Sequence, residues 1–198
     1  MELQNRIATA VLAEKDAVEQ LYQIIGPEHE AVAEAILRCK GKLVFLGVGK
    51  SAHIGSKLAA TFASTGTTSI FVHGTEACHG DLGMITKDDL VVLISNSGNT
   101  IEVTQNIKPL RNIGSTLVAM TSGRNSTLAK ECDLLLPIPS IPEADALNLA
   151  PTNSSTMTLV LGDALAVAVS AARNFTRQDF YAFHPNGALG SALRKEQQ

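Results

Sequence analysis

Hydroxyl and amide side chains are concentrated in residues 95–100, directly after the apolar run 90–94. Three of these residues carry a hydroxyl, namely Ser95, Ser97 and Thr100. Gly98 lets the main chain approach a bound group closely. A plain turn needs one Gly or Asn, so the surplus of hydroxyl donors predicts a phosphate-binding loop at the start of a helix. The simpler alternative is a helix N-cap at Ser97 or Asn99.

A second candidate anion site follows an earlier apolar run and consists of Gly49, Lys50 and Ser51. A lysine beside a helix N-terminus favours a bound anion; the alternative is an ordinary solvated lysine. The segment is not a P-loop, because Val44 stands where that motif requires glycine. It matches the loose form of the dinucleotide fingerprint. However, no acidic residue closes the next apolar run, which ends at His73, so nothing is placed to bind an adenosine ribose.

The elements that must position these loops are five short, continuous apolar runs. The runs are 43–46, 69–72, 90–94, 116–120 and 134–138. They alternate with helical stretches at about 53–64, 100–113, 126–131 and 153–173. Continuous hydrophobicity is typical of parallel strands covered on both faces. The pattern therefore predicts an α/β fold, a three-layer doubly wound sandwich with a mainly parallel five-stranded sheet.

Residues 1–40 have a different rhythm, with apolar residues at helical spacing. Gly26 and Pro27 interrupt the run, so two helices are expected as an N-terminal extension. In doubly wound sheets, ligands bind outside the carboxyl ends of the strands. Both candidate anion loops follow predicted strands, and this rule singles them out.

Composition excludes several classes of function. The 198 residues are 45% hydrophobic and 18% charged, with a net charge of −3, so we expect one globular domain. No basic cluster is present to bind a nucleic-acid backbone. The acidic N-terminus and the short apolar run 159–172 argue against a signal peptide and a membrane span, so we expect a cytoplasmic protein.

The three separated cysteines predict neither disulfides nor a zinc knuckle, and we expect mostly buried thiols.

Several motifs together resemble one family closely. They are residues 49–51, 59–67, 76–84, 95–98, 148–152, 162–166 and 184–190. The family is the sugar isomerase (SIS) domain of bacterial D-arabinose 5-phosphate isomerases. The likeness covers about residues 40–194, so residues 1–198 are expected to form a single SIS domain with a helical segment at 1–40 and an isomerase core at 41–194.

The resemblance implies interconversion of D-ribulose 5-phosphate and D-arabinose 5-phosphate through an enediol, which would feed Kdo and lipopolysaccharide biosynthesis. The residues that fall on the family's catalytic positions are Lys50, Glu102, Glu143 and His184. The substrate and phosphate contacts that it implies, with the anion loops above, are Gly49, Ser51, Gly66, Thr67, His79, Ser95, Ser97 and Thr100. His73 matches a position at which family members can hold an inhibitory zinc ion. No cofactor is implied.

Chemical reasoning from the residues agrees with these roles. Aldose–ketose isomerisation needs a base that moves a proton between C1 and C2, a donor for the carbonyl and an anchor for the phosphate. Glu102 or Glu143 can be the base if burial raises its pKa. Lys50 can stabilise phosphate or enediolate charge, and His184 can open the ring or act as acid. The simpler alternatives are a helix-start charge at Glu102, a solvated loop acid at Glu143 and a turn at His184.

Two other functions remain open at this point. One is isomerisation of another phosphosugar, and the other is a non-catalytic sugar-phosphate sensor, which needs no pair of carboxylates. The resemblance implies a homotetramer, a dimer of dimers, in which His184 reaches a neighbouring subunit. Relatives often carry paired CBS domains after the isomerase domain. The sequence ends at Gln198, so we expect no control through such domains here.

Overall fold

The computed structural model describes residues 2–184, and its centre is a sheet of parallel strands. The strands are β1 (Leu43–Gly47), β2 (Ser69–His73), β3 (Leu90–Ile94), β4 (Thr116–Thr121) and β5 (Leu134–Pro137). They lie in the order β2-β1-β3-β4-β5, and each neighbouring pair is parallel. The five apolar runs therefore predicted the sheet correctly.

Helices cover both faces of this sheet. They are α1 (Leu3–Gln23), α2 (Pro27–Arg38), α3 (Gly49–Ser64), α4 (Gly74–Ala77), α5 (Ile101–Thr104), α6 (Ile107–Ile113), α7 (Thr127–Glu131), α8 (Asn153–Ala172) and α9 (Arg177–Phe183). A short 3₁₀ helix spans Asp81–Met84. The predicted break at Gly26 and Pro27 separates α1 from α2, with Pro27 in the first turn of α2.

Two hydrophobic cores form because successive strand residues point to opposite faces. Phe45 lies on the face covered by α1, α2, α3 and α8, where its ring centroid is 5.6 Å from that of Phe62. Its neighbour Leu46 lies on the other face, where residues of α5, α6 and α7 pack. Both residues are at most 3% exposed. The three-layer doubly wound sandwich is thus confirmed.

Helix α8 is long and apolar enough to cross a membrane by length and composition, contrary to the expectation from the run 159–172. Its packing identifies it as a core helix instead, because it lies against α1, α2 and α3. At Gly162 a Cβ atom would come within 2.4 Å of Leu58 in α3, so glycine permits this close approach. Asp163, on the exposed side, pairs with Lys57.

The predicted single helix at 100–113 is two helices, α5 and α6. Pro109 explains the break, because its ring clashes with the carbonyl four residues earlier and it has no N–H to donate. Pro109 is tolerated in the first turn of α6, which restarts at Ile107. The fully buried Asn106 fills the junction, and its Nδ2 donates to Glu102 O at 2.8 Å and to Gly74 O at 3.0 Å.

The expectation of mostly buried thiols is wrong for one cysteine. Cys78 is exposed and its Sγ lies 3.3 Å from Asn106 Oδ1. Cys39 and Cys132 are partly buried, and burial raises the pKa of Cys132 to about 12. At neutral pH Cys132 is therefore a neutral thiol.

The strand order creates one topological switch point. From β1 the chain passes through α3 to β2 on one side, and later returns to β3 on the other side of β1. The loops that leave β1 and β3 diverge there and open a crevice at the carboxyl edge of the sheet. Both candidate anion loops begin at this crevice.

Candidate active site

A cavity of about 460 Å³ lies at this switch point. Its walls come from the loops after β1, β3 and β5 and from the first two turns of α8. Six of the residues predicted from the sequence line it, namely Lys50, Ser51, Ser95, Ser97, Thr100 and Glu143. The fold therefore joins side chains that are up to 93 positions apart in the chain, from Lys50 to Glu143.

The hydroxyls of the β3–α5 loop have different tasks. Ser95 is 3% exposed, and its Oγ lies 2.8 Å from Thr100 Oγ1 and accepts the Gly98 N–H at 3.1 Å. Ser97 is exposed at the cavity, where its Oγ accepts the Asn99 N–H at 3.2 Å. Ser95 thus shapes the loop, while Ser97 and Thr100 present hydroxyl groups to the cavity.

Gly98 is required by the shape of this loop. Its φ is +69°, in the left-handed region that favours glycine. A Cβ atom there would come within 2.0 Å of Ser126 Oγ and 2.8 Å of Thr121 Oγ1. The loop is therefore packed directly on the segment that follows β4.

The simple N-cap alternative does not account for the loop. The residue that precedes α5 is Thr100, and its side chain makes no capping hydrogen bond. Asn99 points elsewhere, since its Oδ1 accepts the Thr127 N–H at 2.9 Å. Because α5 has only four residues, its dipole is also smaller than the predicted helix 100–113 would provide. On the side of the cavity formed by the β3–α5 loop, hydroxyl groups rather than the dipole of a long helix are therefore available to bind an anion.

The β1–α3 loop supplies the positive charge. Helix α3 begins at Gly49, whose φ is +57°, and Lys50 and Ser51 follow in its first turn. Lys50 is exposed, and it forms no ion pair with another residue in the range 2–184. This lysine and the N-terminus of a 16-residue helix together favour an anion in the cavity.

Glu143 also lines the cavity, and its carboxylate caps the start of α8. Its Oε2 accepts hydrogen bonds from Thr152 N at 2.8 Å, Thr152 Oγ1 at 3.1 Å and Ser154 N at 3.1 Å. Its Oε1 accepts from the hydroxyl of Ser154. Burial alone would raise the pKa of Glu143, but these hydrogen bonds outweigh burial and lower it below the usual value. The condition set for a catalytic base, a pKa raised by burial, is therefore not met, and Glu143 is ionised at neutral pH.

Glu102 is not brought into the cavity. It lies exposed in the first turn of α5, as predicted, and its main-chain carbonyl accepts from Asn106. His79 is exposed after α4, also away from the residues that line the cavity. The roles of these two residues stay predictions.

Gly66 and Thr67 lie at the other edge of the sheet. Helix α3 carries the chain about 24 Å, from the carboxyl ends of the strands to their amino ends, before these residues lead into β2. There Arg173 Nη1 donates to Gly66 O at 2.9 Å and to Thr67 Oγ1 at 2.8 Å. Gly66 and Thr67 therefore do not line this cavity within one chain, and their role as substrate contacts stays a prediction. The resemblance identified the motif but not the edge on which it lies.

Two histidines complete the predicted set. His73 ends β2, and its Nδ1 accepts the Thr75 N–H at 3.4 Å. Within residues 2–184 no three His, Cys, Asp or Glu side chains form a group that could hold a metal ion, so zinc at His73 stays a prediction. His184 follows α9, with Nδ1 2.9 Å from Phe180 O and its ring stacked on Phe180 at 3.9 Å. It does not line the cavity, and the rest of its motif, 185–190, lies outside the described residues.

Sequence reasoning missed part of the wall near Glu143. Ser154, Ser155 and Thr158 were missed, whereas Asn148 and Leu149 lie in the quoted motif 148–152 but were given no role in the site. A signal was present, because residues 152–156 are as rich in hydroxyls and amides as residues 95–100 and form the start of a helix. The completed cavity has a cationic, hydroxyl-rich side and an anionic side. The cavity therefore suits a small polar anion that also carries a group able to exchange a proton with a carboxylate.

Comparison with known proteins gives a consistent result. The SIS domain family matches residues 36–168. Arabinose 5-phosphate isomerase KdsD of Pseudomonas aeruginosa is 52% identical over 180 residues, and KdsD of Escherichia coli K12 is 49% identical over 180 residues. Each alignment covers 91% of this chain and 55% of the relative, so the chain spans about half the length of these relatives. The solved structure of E. coli CFT073 c3406 in complex with arabinose 5-phosphate is 49% identical, with a TM-score of 0.89, and the match covers 93% of this chain and 100% of that one.

Proposed function

The chain belongs to the SIS domain family, and on that premise we propose that it is a D-arabinose 5-phosphate isomerase. The reaction interconverts D-ribulose 5-phosphate and D-arabinose 5-phosphate. The observation that supports the proposal is the cavity itself, which Lys50, Ser97 and the ionised Glu143 all line. The E. coli relatives named arabinose 5-phosphate isomerase, and the related structure that holds arabinose 5-phosphate, support the choice of sugar.

The phosphate binds on the cationic side of the cavity. Ser97 and Thr100 donate hydroxyl hydrogens, and Lys50 supplies the charge. The other side repels phosphate, because Glu143 is ionised and already accepts the N–H groups at the start of α8. The two sides therefore orient the substrate, with its phosphate near Lys50 and its carbonyl end near Glu143.

The base in this proposal is Glu143, although hydrogen bonds lower its pKa, because its ionised carboxylate is ready to accept a proton. Of the two predicted carboxylates, Glu143 lines the cavity and Glu102 does not. In the direction from ketose to aldose, Glu143 removes a proton from C1 to give an enediolate and returns a proton to C2. The proton on O1 moves to O2 through an acid, the role proposed for His184, and Lys50 stabilises the enediolate charge. No electrons leave the substrate, so the reaction needs no redox cofactor.

A second part of the proposal concerns assembly and place. We propose a cytoplasmic homotetramer in which His184 acts in the site of a neighbouring subunit, and a product that enters Kdo and lipopolysaccharide biosynthesis. Apolar side chains on the first turns of α1 support association, since Leu3, Ile7 and Val11 are 63–77% exposed. Light scattering coupled to size-exclusion chromatography tests the assembly. A particle with the mass of four chains is expected, and a particle with the mass of one chain would contradict the proposal.

A panel of phosphosugars tests the substrate. The panel contains D-ribulose 5-phosphate, a hexulose 6-phosphate and a heptulose 7-phosphate, each at matched concentration. The proposal predicts that kcat/KM is highest for D-ribulose 5-phosphate. A higher value for a longer sugar would reassign the substrate, and saturable binding without turnover of any sugar would identify a sensor.

A further inference from the structure

The wall that carries Glu143 belongs to an irregular segment between β5 and α8, residues 138–152. Apolar burial anchors only the start of this segment, at Ile138 and Ile141, whereas Leu147 and Leu149 are each 75% exposed. Leu149 nevertheless lines the cavity. The exposed part of the wall, residues 147–150, is therefore held by polar contacts.

One residue receives four consecutive main-chain N–H groups of this segment. The Oδ1 atom of Asp145 accepts from Leu149 N at 3.0 Å and Ala150 N at 2.9 Å, and its Oδ2 accepts from Leu147 N at 3.0 Å. The fourth group, Asn148 N, donates to the main-chain carbonyl of Asp145 at 3.0 Å. Asp145 thus fixes the conformation of residues 147–150.

This fixed turn is connected to the proposed base. Asn148 has a φ of +55°, an uncommon conformation for a residue with a side chain. The conformation accompanies a hydrogen bond from Glu143 N to Asn148 Oδ1 at 2.6 Å. Asp145 orients Asn148, and Asn148 in turn holds the main chain of Glu143.

We propose that Asp145 is a positioning residue that holds Asn148 and Leu149 at the cavity and, through Asn148, holds the main chain of Glu143, whose carboxylate is held by Thr152 and Ser154. This inference rests on the proposed isomerase function for its kinetic consequence. Asp145 itself does not line the cavity and touches no reacting atom in this account. Its effect is exerted through the shape of the wall.

The test compares the full chain with Asp145→Ala and Asp145→Asn. Asparagine keeps one oxygen, which can still accept from Leu149 N and Ala150 N, so it should rescue part of the effect. Asp16→Ala is the matched control, because Asp16 is exposed on α1 and contacts only Lys15 among the described residues. Two readouts are needed: amide hydrogen exchange of residues 147–150, and separate values of kcat and KM for D-ribulose 5-phosphate.

Asp145→Ala should remove the protection of these amides and lower kcat/KM by about 10- to 100-fold, with a rise in KM. Asp145→Asn should lie between the parent and the alanine variant, and Asp16→Ala should match the parent. Unchanged exchange in Asp145→Ala would overturn the inference. The inference would also be overturned if KM were unchanged and kcat fell only in proportion to the folded fraction of the protein, because that result indicates a purely structural role. Absence of turnover in the parent would contradict the proposed function, while hydrogen exchange would still decide whether Asp145 holds the wall.

Discussion

Glu143 and Ser154 are joined by two hydrogen bonds across the start of α8, one from the Ser154 N–H to Oε2 at 3.1 Å and one from the Ser154 hydroxyl to Oε1. A residue of an irregular loop thus provides the cap of a 20-residue core helix. The same contacts stabilise the ionised carboxylate that faces the cavity. The Glu143 side chain therefore contributes both to the stability of the fold and to the proposed proton transfer.

We expect Glu143→Gln to lower the free energy of unfolding by about 1–2 kcal/mol at pH 7. One carboxylate oxygen is replaced by an NH₂ group, which cannot accept the hydrogen bonds that the N–H groups of Thr152 and Ser154 donate. The folded pKa of Glu143 lies below its unfolded value of about 4.3. Its contribution is therefore present above about pH 4.3 and is lost as pH falls through the folded pKa. Urea unfolding between pH 7 and pH 3 measures this, with Glu131→Gln as an exposed control. A stability difference that does not shrink below about pH 4 would contradict the role of the charge.

Ser97 and Ser95 should respond differently to loss of the hydroxyl. Ser97→Ala removes an exposed donor to the phosphate, so KM should rise about 10-fold or more while stability changes by less than about 0.5 kcal/mol. Ser95→Ala removes the hydroxyl that bonds Thr100 Oγ1 and shares the Gly98 N–H with the Ser95 carbonyl, and should cost about 1 kcal/mol of stability. Steady-state kinetics and urea unfolding on both variants separate the two effects. The account fails if Ser97→Ala keeps the parent KM or if Ser95→Ala keeps the parent stability.

Lys50→Met should lower kcat/KM by about 10²- to 10³-fold, because the charge that anchors phosphate or stabilises the enediolate is removed from the cavity. The fold should be unaffected, since Lys50 is exposed and outside the hydrophobic cores. Lys130→Met, an exposed lysine of α7, is the matched control. Equal activity of the two variants would exclude Lys50 from the mechanism.

Strands and loops differed in how well the sequence predicted them. Runs such as Leu90–Ile94 are apolar throughout because both faces of the sheet are covered, so local composition was sufficient. The break between α5 and α6 also had a local cause in Pro109, which could have been used. The edge on which Gly66 and Thr67 lie follows only from the length and direction of α3.

The electrostatic state of Glu143 was not predictable in the same way. Its hydrogen-bond donors, Thr152 and Ser154, lie 9 and 11 residues away, and no local pattern shows that an irregular loop folds back onto a helix start. Burial was the expected influence on its pKa, but direct hydrogen bonds were stronger. The sequence thus predicted Glu143 as one of two candidate carboxylates, while the fold brought it to the cavity and its contacts determined its ionisation.

Shared active sites can be tested by mixing inactive subunits. If His184 acts in a neighbouring subunit, mixed oligomers of Lys50→Ala and His184→Ala chains should regain part of the parent activity, because some sites then contain both residues. In the described chain His184 does not line the cavity. The readout is turnover after the two variants are unfolded and refolded together, with each variant refolded alone as control. No recovery in oligomers verified to be mixed would argue against a shared site.

The most direct test of the central claim is proton NMR of the purified protein with D-ribulose 5-phosphate in heavy water, beside Glu143→Ala. The account predicts D-arabinose 5-phosphate that carries deuterium at C2, formed by the parent and not by the variant, because the base exchanges its proton with solvent before returning it. Absence of D-arabinose 5-phosphate from the parent reaction, or equal formation by Glu143→Ala, would contradict the account.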